Sequence, residues 1–436
     1  MTAASSRTVV AVLIAVVFVV AVFAEVLTGE VLFWSDTHLS FEPLFGQLGD
    51  AIGDGSMLWS PLLETGKPIL ANPTQAPLYL PNLLFALIPA YRAITVLTLL
   101  HIVLGTLGIF ALARRLGLGL QEALVCALVF AGSGATLSGN SYHGLSWCTS
   151  WVPWLLVFID RVSDGNRRWR DSALLTVVVF MMLTIAEPFV LLAANLGVGL
   201  WLTSVVFNGR GSLAEHLKNR VLPPCLAALA AVLVALPYIV TVLNNLPESV
   251  RALGFTWDGV TIWSMHPLGL AEWVAPGFFG FLGRPDDGVF WATGLTPEKG
   301  FPIFPSLYIG GTVLALAVAG TAGWSSRRLP ITGWLAILVL LAMGRFGPVY
   351  PLLEGVPGID AARYPIKWMV PAMVPLSLLV GMGLSNFRDR CQTSRTALLA
   401  SLTVIAVGLA ALAALIHHPG FAEILELLVM GDDGVF

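Results

Sequence analysis

Residues 221–243 read VLPPCLAALAAVLVALPYIVTVL, and no charged residue occurs between Arg220 and Glu248. A helix needs about 20 apolar residues to cross the hydrocarbon core of a bilayer. Similar stretches recur, and they predict spans at 8–28, 93–113, 120–141, 147–161, 171–186, 189–207, 221–245, 303–324, 330–345, 367–386 and 396–417. The segment 77–91 is apolar but short and rich in proline, which predicts an interfacial or re-entrant helix. The fold class expected is an all-α polytopic membrane protein of about 11 transmembrane helices.

The composition supports this class and excludes others. Hydrophobic residues make up 57% of the 436 residues, only 11% are charged, and mean hydropathy is +0.83. Soluble domains are about a quarter charged, so a soluble globular or disordered chain is excluded. A net charge of -3 argues against nucleic acid as a partner. The four cysteines show neither metal-ligand spacing nor a disulfide pattern.

The distribution of charge predicts the orientation. With eleven spans, one side carries 15 of the 23 Lys and Arg residues and six of the 26 Asp and Glu residues, a net charge of +9 against -12 on the other side. The positive-inside rule makes the first side cytoplasmic. We therefore expect a single domain, 1–436, in the plasma membrane, with the N-terminus inside, the C-terminus outside and long external loops at 29–76, 246–302 and 346–366. The short cytoplasmic connections contain no P-loop motif, which argues against an ATP-driven pump.

The first external loop begins with the acidic residues Asp36 and Glu42, with His38 between them. Helical spacing of apolar residues then predicts an amphipathic juxtamembrane helix lying on the membrane. That spacing involves Leu39, Leu44, Leu48 and Ile52. Asp36 is interpreted either as a cap of this helix or as a general base or metal ligand facing an external cavity.

The same loop continues with a dense run of proline and amide residues between Gly66 and Asn82. Prolines at this density predict a fixed, non-helical path. The amides of Asn72, Gln75 and Asn82 are candidates for holding sugar hydroxyls. The alternative is that they satisfy backbone groups of the loop, as many such side chains do.

Two external turns carry further candidates for substrate binding. Glu187 interrupts an apolar stretch before Pro188, and carboxylates at a membrane edge are functional candidates. The alternative is that Glu187 simply faces water at a turn. His143 lies at another external turn and is a weaker candidate for the same cavity.

The last external loop contains Arg363 and Lys367 on either side of Pro365. Only eight of the 23 basic residues lie on the predicted external side, so Arg363 and Lys367 are exceptions to the general preference of basic residues for the cytoplasmic side. Guanidinium and ammonium groups both bind phosphate, which predicts a site for an anionic headgroup. The alternative is snorkelling to lipid phosphate. Arg251 and Arg345 are further candidates.

These motifs occur in an order that resembles the bacterial YfhO-like membrane protein family, within the GT-C superfamily of polyprenyl-phosphate-sugar glycosyltransferases. The resemblance covers nearly all of the chain and consists of short motifs. They are an external Asp after the first span, Trp59-Ser60-Pro61, Gly66-Lys67-Pro68, Ala71-Asn72-Pro73, Pro77-Leu78-Tyr79-Leu80-Pro81-Asn82, His143-Gly144-Leu145-Ser146-Trp147, Phe304-Pro305-Ser306-Leu307-Tyr308-Ile309-Gly310-Gly311 and Gly358-Ile359-Asp360-Ala361-Ala362-Arg363-Tyr364-Pro365-Ile366-Lys367-Trp368.

The resemblance implies a GT-C-like fold that takes a sugar from a polyprenyl-phosphate donor and transfers it to a glycan, lipid or protein acceptor of the cell envelope. The role of base or metal contact then falls on Asp36, with Glu42 as the second choice and His38 as a weak partner for a divalent metal ion. By the same resemblance, Arg363 and Lys367 are expected to bind the phosphate of the lipid carrier. Longer relatives are expected to have further spans, so the chain is a short member or a fragment. The absence of an adjacent Asp-Glu pair disfavours the protein mannosyltransferase branch.

Two other functions remain open at the level of sequence. A transporter or flippase of a lipid-linked or amphipathic solute should show inverted repeats with paired broken helices, and no clear internal repeat is present. A non-catalytic membrane scaffold on the same fold is the third interpretation.

Overall fold

Helices make up most of the chain, as the sequence predicts. The computed structural model describes residues 3–32, 36–61, 66–165, 168–207, 212–280, 302–322, 327–356 and 358–388. Within these ranges three helices are long and apolar enough to cross a membrane, namely Ala90–Arg115, Leu213–Glu248 and Pro365–Arg388. Together with the composition, these helices define a helical membrane protein.

The α-helices are α1 (Ala3–Val22), α2 (Glu42–Asp54), α3 (Ala90–Arg115), α4 (Leu120–Gly132), α5 (Gly134–Gly139), α6 (His143–Asp164), α7 (Arg168–Ile185), α8 (Pro188–Phe207), α9 (Leu213–His216), α10 (Leu222–Asn245), α11 (Trp257–Thr261), α12 (Gly311–Thr321), α13 (Arg328–Ala342) and α14 (Met369–Arg388). Short 3-10 helices cover Ala24–Thr28, Pro73–Gln75, Leu80–Ala86, Leu246–Glu248, Val250–Leu253, Pro267–Trp273, Gly344–Phe346, Tyr350–Leu353, Ile359–Ala361 and Pro365–Trp368, and π-helical turns cover Thr37–Phe41 and Leu217–Val221.

Nine of the predicted spans each coincide with one α-helix, and the eleventh, 396–417, lies outside the described residues. The predicted span 120–141 is divided into α4 and α5, because the backbone at Ser133 between them is extended. The count of about 11 spans therefore stays a prediction. The prediction for 303–324 is too long, because the helix begins only at Gly311. Before it, the backbone of Tyr308 accepts a hydrogen bond from Gly134, and Ile309 donates to Trp273, so residues 302–310 are held in an extended path. Prolines at 302 and 305 reinforce that path.

Helix α14 lies at the centre of the bundle and is almost entirely buried. It contacts α12 most extensively, through two glycines. A Cβ on Gly320 would overlap the Leu379 carbonyl, and a Cβ on Gly383 would overlap the Leu316 carbonyl. Small residues at such positions let two helix backbones approach closely. The contact therefore fixes α12 and α14 as one body.

Helix α2 packs on protein, which corrects the prediction that it lies on the membrane. Phe45 and Leu48 are at most 1% exposed, and the Phe45 ring stacks on Phe85 at 4.5 Å between centroids. Leu39, predicted to share this apolar face, is 75% exposed. Thr37–Phe41 forms a π-helical turn, whose wider winding rotates Leu39 away from the face formed by α2.

A network of ion pairs closes the end of the bundle that we predict to be cytoplasmic. Asp160 of α6 accepts from Arg115 at 2.6 Å, from Arg327 at 2.6 Å and from the Trp201 indole at 3.3 Å. Further pairs join Arg115 to Asp164, Arg161 to Asp171 and Arg388 to Glu122. Four of the basic residues that mark this end in the sequence, Arg115, Arg161, Arg327 and Arg388, are thus paired with carboxylates.

We predict that Asp160→Ala destabilises the protein by about 2 kcal/mol, because it leaves two guanidinium groups without their shared carboxylate. The two side chains are about a third exposed, which keeps the cost below that of a fully buried pair. Thermal unfolding in nanodiscs measures the effect. Asp164→Ala is the matched control, since that carboxylate is half exposed and pairs with Arg115 alone. Equal shifts for the two variants would contradict this account of the network.

Candidate functional site

Asp36 lies at the start of the helical segment of the first loop, but its carboxylate does not cap that helix. Instead Oδ2 accepts a hydrogen bond from the Tyr142 hydroxyl at 3.0 Å. Burial raises the pKa of Tyr142 above its usual range, and the adjacent Asp36 carboxylate raises it further. Tyr142 is therefore a permanent donor that orients Asp36. Oδ1 receives no hydrogen bond from the described residues, which leaves it available to a ligand.

Lys367 lies close to the Tyr142 ring. Its ammonium is 5.2 Å from the Tyr142 centroid, 5.5 Å from that of Phe189 and 5.2 Å from that of Tyr364. Contacts at this range are cation–π interactions, which hold a cation without neutralising it. Within the described part of the chain Lys367 forms no ion pair. It is a half-buried positive charge with aromatic neighbours.

Two arginines join Lys367. The Arg363 guanidinium lies 4.2 Å from the Phe255 centroid, and that of Arg251 lies 5.9 Å from the same ring. Although Arg251 keeps solvent exposure, partial burial and then the nearby Arg363 lower its pKa. The Nε atom of Arg363 is buried without a hydrogen-bond partner. A buried donor on a cation that lacks an acceptor indicates the place of an anionic ligand.

The carboxylates of Glu187 and Asp36 attract the Lys367 ammonium, while Arg251 and Arg363 repel it. These five side chains form what we call the charged site. Three of them are cations and two are carboxylates.

The backbone is strained on both sides of the charged site. Ala186, directly before Glu187, has φ 56°, and Tyr364, between Arg363 and Pro365, has φ 76°. Left-handed backbone is unfavourable for both residue types, and such strain concentrates at functional sites. At Ala186 the left-handed backbone allows α7 to end and α8 to begin within two residues, so the turn sets the position of Glu187. At Tyr364 it sets the direction of the two flanking cations.

Glu42 and His38 lie outside the charged site. Nδ1 of His38 is 2.5 Å from Oε2 of Glu42, and both line a separate small pocket with Tyr91. The described residues contain no group of three His, Cys, Asp or Glu side chains that could hold a metal ion. The donors present around Asp36 and His38 therefore do not fit a divalent metal, and we assign no step to one.

The amides predicted to bind substrate are used within the loop. Asn72 accepts from the backbone of Thr74 and donates to Gln75, and Gln75 donates to the Leu44 carbonyl at 2.7 Å. Asn82 donates to two carbonyls of the same loop. The geometry favours the structural interpretation, in which these amides attach the loop to α2. We leave Asn72 and Gln75 out of the candidate site.

His143 follows Tyr142 and is 2% exposed. Its ring lies 4.9 Å from that of Phe41 and 5.4 Å from that of Trp147, and neither nitrogen has a hydrogen-bond partner. It lines a cavity of about 330 Å³ that none of the three cations reaches. His143 therefore adjoins the charged site without belonging to it.

The aromatic residues are what sequence analysis missed. Tyr142, Phe189, Phe255 and Tyr364 come from four separate segments and hold the charges in place. Each of these aromatic residues lies next to or near, in the sequence, a residue that the sequence analysis did identify as a candidate. This closeness in sequence was the only sign that could have identified them. The sequence identified Arg251 as a candidate but did not indicate its neighbours. The structure places its guanidinium near the ring of Phe255.

Comparisons with known proteins do not assign a function to the charged site. No family model matches the chain, and no curated protein matches it. Among solved structures the chain is similar to a mutant of the arabinofuranosyltransferase AftD from mycobacteria, with 16% sequence identity and a TM-score of 0.49. The match covers 91% of this chain and 27% of that one, so the chain spans about a quarter of the length of the protein it matches. A likeness at this level identifies neither a family nor an activity.

We predict that Arg363→Met and Lys367→Met each weaken binding of farnesyl phosphate about tenfold or more, because each removes a charge-assisted contact worth about 1.5–3 kcal/mol. Binding to the protein in nanodiscs is measured, with farnesol as the uncharged comparison. Arg92→Met, an exposed cation on the same predicted side, should leave affinity unchanged. Equal loss in Arg92→Met, or no loss in the other two variants, would rule out a phosphate site here.

Proposed function

We propose that the protein is a membrane glycosyltransferase that uses a polyprenyl-phosphate sugar on the extracytoplasmic face. The observation that carries this proposal is the contrast between the two charged ends of the bundle. The cations Arg115, Arg161 and Arg327 are paired with carboxylates, whereas Arg363 and Lys367 are held by aromatic rings without an ion pair among the described residues. An anionic ligand that arrives from outside the protein supplies the missing partner.

The position of the charged site supports a donor that enters from the bilayer. Tyr142 precedes α6, and Asp160 lies 18 residues further along the same helix. At 1.5 Å per residue the two charged ends are about 27 Å apart, close to the thickness of the hydrocarbon core. A lipid phosphate at the interface would therefore lie level with Arg363 and Lys367, with its polyprenyl chain in the membrane.

The chemistry assigned to these groups is a single displacement. Asp36 Oδ1 accepts the proton of an acceptor hydroxyl, whose oxygen forms a bond to the anomeric carbon as the bond from that carbon to the phosphate oxygen breaks. The electron pair of the broken bond leaves with the polyprenyl phosphate, and Arg363 and Lys367 balance the charge that develops on it. One displacement inverts the anomeric configuration. The sequence resemblance to the GT-C superfamily agrees with this division of roles.

We predict that Asp36→Asn lowers kcat by a factor of about 10²–10⁴, the usual contribution of a general base. The assay is transfer in proteoliposomes from a panel of undecaprenyl-phosphate hexoses and pentoses. Glu42→Gln is the matched control and should retain activity within a few-fold, since Glu42 pairs with His38 away from the charged site. Full turnover by Asp36→Asn would eliminate its role. A wild-type protein that moves these lipids across the bilayer without transferring the sugar would favour a flippase instead.

Tyr142→Phe tests the positioning of Asp36. The variant keeps the ring beside Lys367 and removes only the hydroxyl that donates to Oδ2. We expect kcat to fall about tenfold or more, the effect of losing a hydrogen bond to a charged group, with affinity for farnesyl phosphate unchanged. If Tyr142→Phe weakened binding of farnesyl phosphate as much as it lowered kcat, Tyr142 would instead be needed to position the cations, and not Asp36.

A further inference from the structure

The cavity beside His143 has a lining that the charged site does not use. Its volume is about 330 Å³, at the lower end of the range of about 300–1,000 Å³ typical of small-molecule sites. Thr37, Ser141 and His143, three of its lining residues, are the immediate sequence neighbours of Asp36 and Tyr142. We call this cavity the polar pocket. It lies directly next to the proposed base.

The polar pocket contains buried groups without partners. Both nitrogens of His143 and both amide atoms of Asn140 are buried and make no hydrogen bond. Two unsatisfied residues in one cavity cost free energy unless a ligand or water bonds to them. In contrast, His101, buried nearby in the same aromatic cluster, bonds to Tyr79 and to the Leu97 carbonyl. Of the two buried histidines in this cluster, only the one that lines the pocket lacks partners among the described residues.

The walls of the polar pocket are fixed. The hydroxyl of Ser138 donates to the Ser306 carbonyl at 2.8 Å and accepts from the Ser306 amide at 3.0 Å. This reciprocal pair fastens residues 302–310 to α5. This wall of the pocket is therefore preorganised, which favours affinity.

The chemistry of the lining selects the class of ligand. A buried imidazole with no carboxylate partner is neutral, so it offers one donor and one acceptor, and the Asn140 amide offers both as well. Among the described residues that line the pocket none is charged, and Phe23, Leu32, Leu137 and Pro305 are apolar. An anion needs donors only and a cation needs acceptors only, whereas each sugar hydroxyl is donor and acceptor at once. The lining matches a neutral, polyhydroxylated ligand.

We propose that the polar pocket is the acceptor subsite and that Asn140 and His143 recognise adjacent hydroxyls of a neutral sugar. This inference rests on the proposed function, because it makes the pocket the source of the hydroxyl that Asp36 deprotonates. Donor phosphate and acceptor sugar then occupy different compartments, with the pair of Asp36 and Tyr142 between them. The specificity for the acceptor is set by Asn140 and His143, and neither contacts the donor phosphate.

The test measures binding of methyl glucoside, methyl mannoside and methyl galactoside to the full chain in nanodiscs by saturation-transfer NMR, without any donor. We expect signals from the ring protons with the wild-type protein and a weaker signal from methyl glucuronide, which is an anion. Asn140→Ala and His143→Leu should each reduce binding about tenfold, and His143→Gln, which keeps a donor and an acceptor, should restore part of it. Thermal unfolding establishes that each variant is folded.

Asn195→Ala is the matched control, because that amide is exposed on α8 and bonds only to its own helix. It should bind the glycosides like the wild type. If the wild-type protein binds farnesyl phosphate but none of the glycosides, the polar pocket is not a sugar-binding site. The proposal for the charged site would be unaffected by that result. Glycoside binding without any transfer from a polyprenyl-phosphate sugar would instead overturn the proposed function and the acceptor role that rests on it, and would leave the polar pocket as a sugar-binding site.

Discussion

The constraint on which the site depends is the cost of placing a positive charge where little water reaches it. A half-buried ammonium or guanidinium must be balanced by a carboxylate, by aromatic faces or by a ligand. At one end of the bundle Asp160 and other carboxylates pair with Arg115, Arg161, Arg327 and Arg388. At the other end Lys367 and Arg363 contact aromatic rings and form no ion pair among the described residues, although the carboxylates of Glu187 and Asp36 attract Lys367 from a greater distance. Those rings hold the cations in place and leave their charge available to a ligand.

Much of the fold could be predicted from the sequence, because apolar runs and their length follow directly from the thickness of the bilayer. Nine of the predicted spans each coincide with one helix. The errors have local causes. Residues 302–310 are apolar enough to read as part of a span, but prolines and hydrogen bonds to α5 and Trp273 keep them extended. Leu39 was assigned to the buried face because the period of an α-helix was assumed through a π-helical turn.

The candidate site was predictable only in part. Charge is scarce in this chain, so Asp36, Glu187, Arg363 and Lys367 could be singled out by type and predicted side alone. Which of them meet depends on tertiary contacts between segments more than 100 residues apart, such as the hydrogen bond from Tyr142 to Asp36. Amides such as Asn72 and Gln75 carry no sequence signal that distinguishes a loop-stabilising role from a binding role. That choice is made by the neighbouring Leu44 carbonyl.

The close contact of Gly320 with Gly383 has a consequence for what the protein can accept. Helix α12 continues from the segment that carries Ser306, and α14 continues from the turn that carries Lys367. The two backbones are locked together near the C-terminal ends of both helices, so α12 and α14 form one rigid frame. This frame limits how far the segments that precede the two helices can move apart. It therefore also limits the size of any molecule that contacts both segments.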